Sequence, residues 1–189
     1  MSSELGDGRK VYKLARPRQF WYSARVKQLI SALLLFITLS LNAQDYAANI
    51  ASLIDPAKLA TLRERGANPR IQKCVYWLEE ARKAGKNATN VAHDAVSKAG
   101  YKNSAAVLTE QSLLRNLDIA TKLGCLDKEG LSKMRHGNPP TVHTGPYAGD
   151  VASVDHIVPR AVCPQLDNCI ANLELLQIRM NESKKVEDR

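Results

Sequence analysis

Four residues near the C-terminus carry side chains that could work together: Asp155 and His156 in "VDHIVP", Asn172 in "ANLELL", and Asn181 in "MNESK". An imidazole has an ordinary pKa of about 6.5, so His156 is suited to taking a proton from water at neutral pH. Taken singly, each residue also has a structural use. Asp155 reads as a loop cap, His156 as a satisfied strand-end histidine, Asn172 as a turn residue and Asn181 as a helix cap. Adjacent side chains on a strand point to opposite faces. Asp155 and His156 therefore serve one site only if the strand ends or bends there, and Pro159 shortly afterwards is consistent with such an ending.

The elements that must position these residues follow from the pattern around them. "VASVDHIV" (151–158) and "NLELLQIRM" (172–180) read as strands, with "PRAVCPQLDNCIA" as the ordered loop between them. "NESKKVEDR" can then begin a short helix with Asn181 at or near its cap. Ahead of the first strand, Pro and Gly crowd residues 136–150, where helix must end. From Asp55 to about Arg135 the chain reads as helices with polar breaks. "DPAKLATLRERG" has Asp as cap, Pro at the first helical position and Gly at the end, and "NPRIQKCVYWLEEARKAG" repeats the signature. "NATNVAHDAVSKAG", "NSAAVLTEQSLLRNLDIATKLG" and "DKEGLSKMRHG" continue the series, with Leu113, Leu114, Leu117, Ala120 and Leu123 forming an apolar stripe assigned to core. Tyr76 and Trp77 are also read as core.

The order strand, loop, strand, helix, with these residues at these places, resembles the HNH endonuclease family and its ββα-metal fold. The resemblance covers about residues 135–189 and departs from the pattern at Asn181, where many members have His, although the family shows Asn there too. It implies hydrolysis of a phosphodiester, an anion that resists attack by water unless a base activates the nucleophile and a cation neutralises developing charge. His156 would be the base. Asp155 and Asn181 would hold one divalent cation, their oxygens favouring a hard ion such as Mg²⁺, with Mn²⁺ or another transition ion as the alternative. Asn172 would hydrogen-bond backbone across the loop and keep His156 oriented. Arg160, Arg179, Lys184 and Lys185 surround the motif and could contact phosphates, or form a solvated basic face. His136 and His143 are nearby in sequence and read as loop histidines.

Charge and composition frame that reading. The formal charge is +8, but the first 27 residues hold seven basic residues against Glu4 and Asp7, a net +5, which leaves +3 for Gln44 to Arg189. Sequence-independent, salt-sensitive binding of nucleic acid fits such modest charge better than dedicated sequence reading. The basic stretch is followed by the charge-free "QLISALLLFITLSLNAQ", a little short for a bilayer span and ending in small and polar residues. Residues 1–43 are accordingly expected to be a signal peptide cut after Ala43, with an uncleaved signal anchor as the alternative and a membrane partner in that case alone. Export to a secreted or periplasmic location would let Cys74, Cys125, Cys163 and Cys169 form two disulfides, Cys163 with Cys169 and Cys74 with Cys125 being the expected pairs. A four-cysteine zinc site is the second choice, lacking close Cys-x-x-Cys pairs. No nucleotide-binding fingerprint, Gly-rich phosphate loop or internal repeat is present, and no protein partner can be identified.

The expected whole is an α+β chain: leader 1–43, helical region 44–134, and a C-terminal HNH module 135–189 acting as a metal-dependent nuclease on DNA, and on RNA as a second substrate. The competing expectation is an exported, non-catalytic binding module that keeps the ββα scaffold.

Overall fold

Asp45, Asn87 and Asp127 each place a side-chain oxygen over otherwise unpaired N–H groups, and a helix begins directly after each. The structure, a computed structural model, describes residues 44–179. Its helices are α1 (Tyr46–Ile54), α2 (Pro56–Leu59), α3 (Asn68–Lys83), α4 (Ala88–Lys98), α5 (Asn103–Lys122) and α6 (Lys128–His136). They are followed by β1 (Ala152–His156) and β2 (Leu173–Gln177), paired as a two-stranded antiparallel sheet, so the chain is α+β. Gly137 stops α6 in the left-handed conformation at φ 80°, which a residue without Cβ adopts freely.

One hydrophobic core serves helices and sheet together. Ile50 of α1, Ile71 and Leu78 of α3, Leu113 of α5, Met134 of α6, and Val154, Leu173 and Leu175 of the strands belong to a single buried cluster. Burying one such Leu or Ile stabilises the fold by roughly 1.5–3 kcal/mol. Tyr76 and Trp77 pack against this cluster at a ring separation of 4.9 Å, edge to face, as the core assignment requires.

The hairpin register pairs Ala152 with Gln177, Val154 with Leu175, Asp155 with Glu174 and His156 with Leu173. Both strands are shorter than the apolar runs suggest: β1 stops at His156 and β2 at Gln177, after which Ile178 and Arg179 are already helical. Asn116, buried on α5, accepts the Leu175 N–H at 2.6 Å and donates to the Leu173 carbonyl at 3.0 Å. It thus stands in for a third strand along the free edge of β2. Ser112 one turn earlier donates to the Ile170 carbonyl at 2.8 Å, and Asn68 at the start of α3 donates to the Val154 carbonyl at 3.1 Å.

The helix expected over "DPAKLATLRERG" lasts one turn, to Leu59. Residues 60–67 run instead as turns, with Arg65 at φ 54°, because Arg65 and Ala67 give their N–H groups to Asp167 and Asn168 of the hairpin loop rather than to carbonyls one helical turn earlier. Neither expected disulfide is formed: Cys74, Cys125, Cys163 and Cys169 are all free thiols. Cys74 is packed into the core on α3 and Cys125 is buried after α5, while the Cys163 thiol meets Gln165 at 3.3 Å instead of Cys169.

Burial pushes the Cys74 thiol up to about 12, Cys125 to about 11 and the Tyr101 hydroxyl, which donates to the Ile54 carbonyl at 2.8 Å, to about 12. Above the ordinary thiol value of 9.0 the unfolded chain has released protons that the folded chain still holds. Folding stability therefore falls as pH rises through the window from 9.0 to about 12 and draws nothing from these groups below it. Thermal unfolding from pH 7 upward is expected to show a flat midpoint and then a decline. Cys74→Ala should shallow that decline; an unchanged slope would remove Cys74 as a cause.

Candidate functional site

The residues singled out by the motif lie at the open end of the hairpin and in the loop that closes it. His156 ends β1 with its side chain turned toward the core side, 4% exposed. Its Nε2 lies 2.9 Å from the main-chain carbonyl of Asp167 and 3.1 Å from Asp167 Oδ1. A carbonyl only accepts, so this contact requires the proton on Nε2 and leaves Nδ1 of the neutral ring with its lone pair. Nδ1 is the atom that could take a proton from water.

Asn172 spans the loop with its side-chain amide. Its Oδ1 accepts the Val158 N–H at 2.8 Å, and its Nδ2 donates to the carbonyls of Val158 at 3.1 Å and Leu166 at 3.3 Å. With the Ile157 N–H on the Asn172 carbonyl at 2.9 Å, the two mouths of the 157–172 loop are tied together. His156 is the residue immediately before that tie, so its backbone cannot drift while the tie holds.

Asp155 is not brought to the same side. The strand runs through Asp155 and His156 with unbroken alternation, so Asp155 sits half-buried on the opposite face, across from Glu174. The bend expected to turn both side chains into one pocket is absent because the core face of β1 claims Ala152, Val154 and His156 as a set. The Asp155 and Glu174 side chains are directly opposed on the hairpin, and Arg115 Nε stands 3.9 Å from Glu174 Oε2, so a guanidinium already faces this pair of carboxylates. A carboxylate oxygen is a donor that a hard ion accepts, and Asp155 offers it on the strand face opposite His156. Asn181, the second expected ligand, lies outside the described residues, as do Lys184, Lys185 and the leader. Among the described residues no group of three or more His, Cys, Asp or Glu could hold a metal ion.

The two described basic residues around the motif, Arg160 and Arg179, each face a carboxylate. Arg160 pairs with Glu64 at 2.6 Å, an exposed contact that holds the Glu64 carboxyl below its ordinary value. Arg179 lies 3.3 Å from Asp150. Each contact uses one nitrogen of the guanidinium, and the side chains stay 39% and 67% exposed, so a phosphate would meet donors whose charge is already partly offset by a carboxylate. His136 closes α6 with Nδ1 on the Ser132 carbonyl, and His143 stands 3.4 Å from Asp127, both away from His156 in their bonding.

Sequence reasoning passed over Asp167 and the loop that holds it. Asp167 Oδ2 accepts the Arg65 N–H at 3.1 Å, and Asn168 accepts the Ala67 N–H at 3.0 Å while donating to the carbonyls of Leu62 and Arg63. A cavity of about 430 Å³, lined by Leu59, Leu62, Glu64, Arg160 and Asp167 among others, opens along this seam. The one local signal was a pair of short polar residues, Asp167-Asn168, in the middle of a loop that must dock on something. No family model matches the chain, and neither does a curated protein or a solved structure.

Proposed function

We propose that this chain is an exported, metal-dependent endonuclease of the HNH type that hydrolyses phosphodiester bonds of DNA, and of RNA as a second substrate. The observation that carries the reading is the protonation pattern forced on His156: Nε2–H is spent on the Asp167 carbonyl, and Nδ1 is left to act as base. In the proposed step Nδ1 accepts a proton as a water oxygen attacks phosphorus, and the P–O bond to the leaving oxygen breaks. A divalent cation would supply charge neutralisation on the phosphate and the leaving oxygen; Asp155 and Asn181 are the residues that would hold it, Asp155 from the strand face opposite His156. Asn172 fixes the loop so that the ring meets the water in one orientation.

The deep burial of His156 and the pairing of Arg160 and Arg179 with carboxylates favour a second reading, a non-catalytic module that keeps the scaffold. A plasmid assay separates the two. With Mg²⁺ or Mn²⁺ the purified chain is expected to nick supercoiled DNA, a chelator should stop it, and Asp155→Ala should raise the ion concentration needed. Intact plasmid across a series of divalent ions would leave the scaffold reading standing.

A further inference from the structure

We infer that the 62–67 turn of the helical region is a working part of the His156 site, and that Asp167 is a positioning residue for the His156 ring, held in place by that turn. The inference starts from valence. Asp167 uses each oxygen toward a different neighbour: Oδ2 accepts the Arg65 N–H at 3.1 Å, and Oδ1 stands 3.1 Å from His156 Nε2. Oδ1 is buried and accepts no well-aligned hydrogen bond, because Nε2–H is aimed at the carbonyl of the same residue at 2.9 Å. Two acceptors of one residue thus confront one ring N–H, and the ring is trapped between them.

What holds Asp167 there comes from the other half of the chain. Arg65 adopts φ 54°, an uncommon conformation for a residue with a side chain, and in doing so delivers its N–H to the carboxylate. Gly66 follows where a Cβ would come within 2.8 Å of the Arg63 carbonyl, so the turn tolerates no side chain there. Asn168 then bonds this turn at Leu62, Arg63 and Ala67, and Arg160 reaches Glu64 across the same seam. The contacts span about a hundred residues of sequence, the Arg65–Asp167 pair being 102 apart. A strained backbone, a glycine forced by close approach and a string of polar contacts all converge on the one carboxylate that faces the ring.

Asp167→Asn tests this because it preserves shape but removes an acceptor. Asparagine has one oxygen; if it takes the Arg65 N–H, an amide NH₂ is turned toward His156 Nε2–H, donor against donor. The spectroscopic arm uses ¹⁵N-labelled protein at one fixed pH and reads the ring Nε2–H of His156, identified by its loss in His156→Ala. In the wild type this proton should be slow to exchange; in Asp167→Asn it should exchange fast or vanish while circular dichroism stays unchanged. Asn168→Asp leaves Asp167 intact and loosens only the 62–67 turn, placing a carboxylate against the Leu62 and Arg63 carbonyls, and should speed exchange of the same proton. An unmoved ring proton in both variants would overturn the inference.

The kinetic arm rests on the nuclease reading. For plasmid or oligonucleotide cleavage, Asp167→Asn is expected to lower kcat by about 10- to 100-fold with KM nearly constant, the mark of a disturbed reacting group rather than lost binding. If the wild type cleaves nothing but the ring proton responds, the nuclease reading fails and the positioning role stands. If the wild type cleaves and Asp167→Asn matches it with an unmoved ring proton, the positioning role fails alone.

Discussion

His156→Ala is expected to abolish metal-dependent cleavage, with a fall of about 10²- to 10⁴-fold in kcat, the usual contribution of a positioned general base. Loss of the base and loss of the fold must be told apart, since the ring is buried and its removal leaves the Asp167 carbonyl without its donor. A buried acceptor left unpaired costs about 1–3 kcal/mol. The variant should therefore melt a few degrees lower, by about 2–4 °C for each kcal/mol in a chain of this size, yet still unfold as one transition. A folded His156→Ala protein that nicks plasmid at the wild-type rate would take His156 out of the mechanism. His156→Gln sharpens the result, because a glutamine NH₂ could still donate to the Asp167 carbonyl while offering no base. If cleavage depended only on keeping the loop in place, that variant would be active; the base role requires it to be inactive with stability largely restored.

How much of this was visible in the sequence depends on how far each interaction reaches. His156 and Asn172 were legible because a strand end, a loop and a second strand put them together within seventeen residues, and the structure does tie Asn172 across that loop. Capping at Asp55 and the helix starts at Asn68, Asn87 and Asp127 were legible for the same local reason. Asp167 was not, since its meaning lies in Arg65, 102 residues away, and no periodicity reports a side chain that reaches out of a loop. The side of Asp155 was a local question with a tertiary answer. The sequence permitted a bend after Asp155, and the core face of β1 kept the strand straight through His156. The expected cysteine pairs followed from the expected compartment, whereas free buried thiols follow from packing alone. Packing holds Cys74 and Cys125 in the interior as small apolar groups, a use that needs no partner.

Asn116→Leu is expected to be clearly destabilising, although leucine shares the branched heavy-atom skeleton of asparagine and the surroundings are apolar. An apolar stripe built on Leu113, Leu117 and Ala120 makes a core helix seem sufficient, and on that view the change should be neutral or favourable. The geometry says otherwise. Asn116 is 1% exposed and pairs the Leu175 N–H and the Leu173 carbonyl, two backbone groups on an edge of β2 that no third strand among the described residues covers. Leucine leaves the Leu175 N–H buried and unpaired, while the Leu173 carbonyl keeps its longer contacts from Ser112 Oγ at 3.3 Å and Arg115 at 3.4 Å, so a loss of about 2 kcal/mol and a drop of about 4–8 °C in thermal midpoint follow for a chain of this length. The effect should reach the candidate site, because β2 is the strand that sets His156 opposite Leu173. Amide exchange at Leu175 reports the local loss directly: it should accelerate in Asn116→Leu far more than amides within α3. Equal protection at Leu175 in the two proteins would show that packing, not the amide, holds α5 to the sheet.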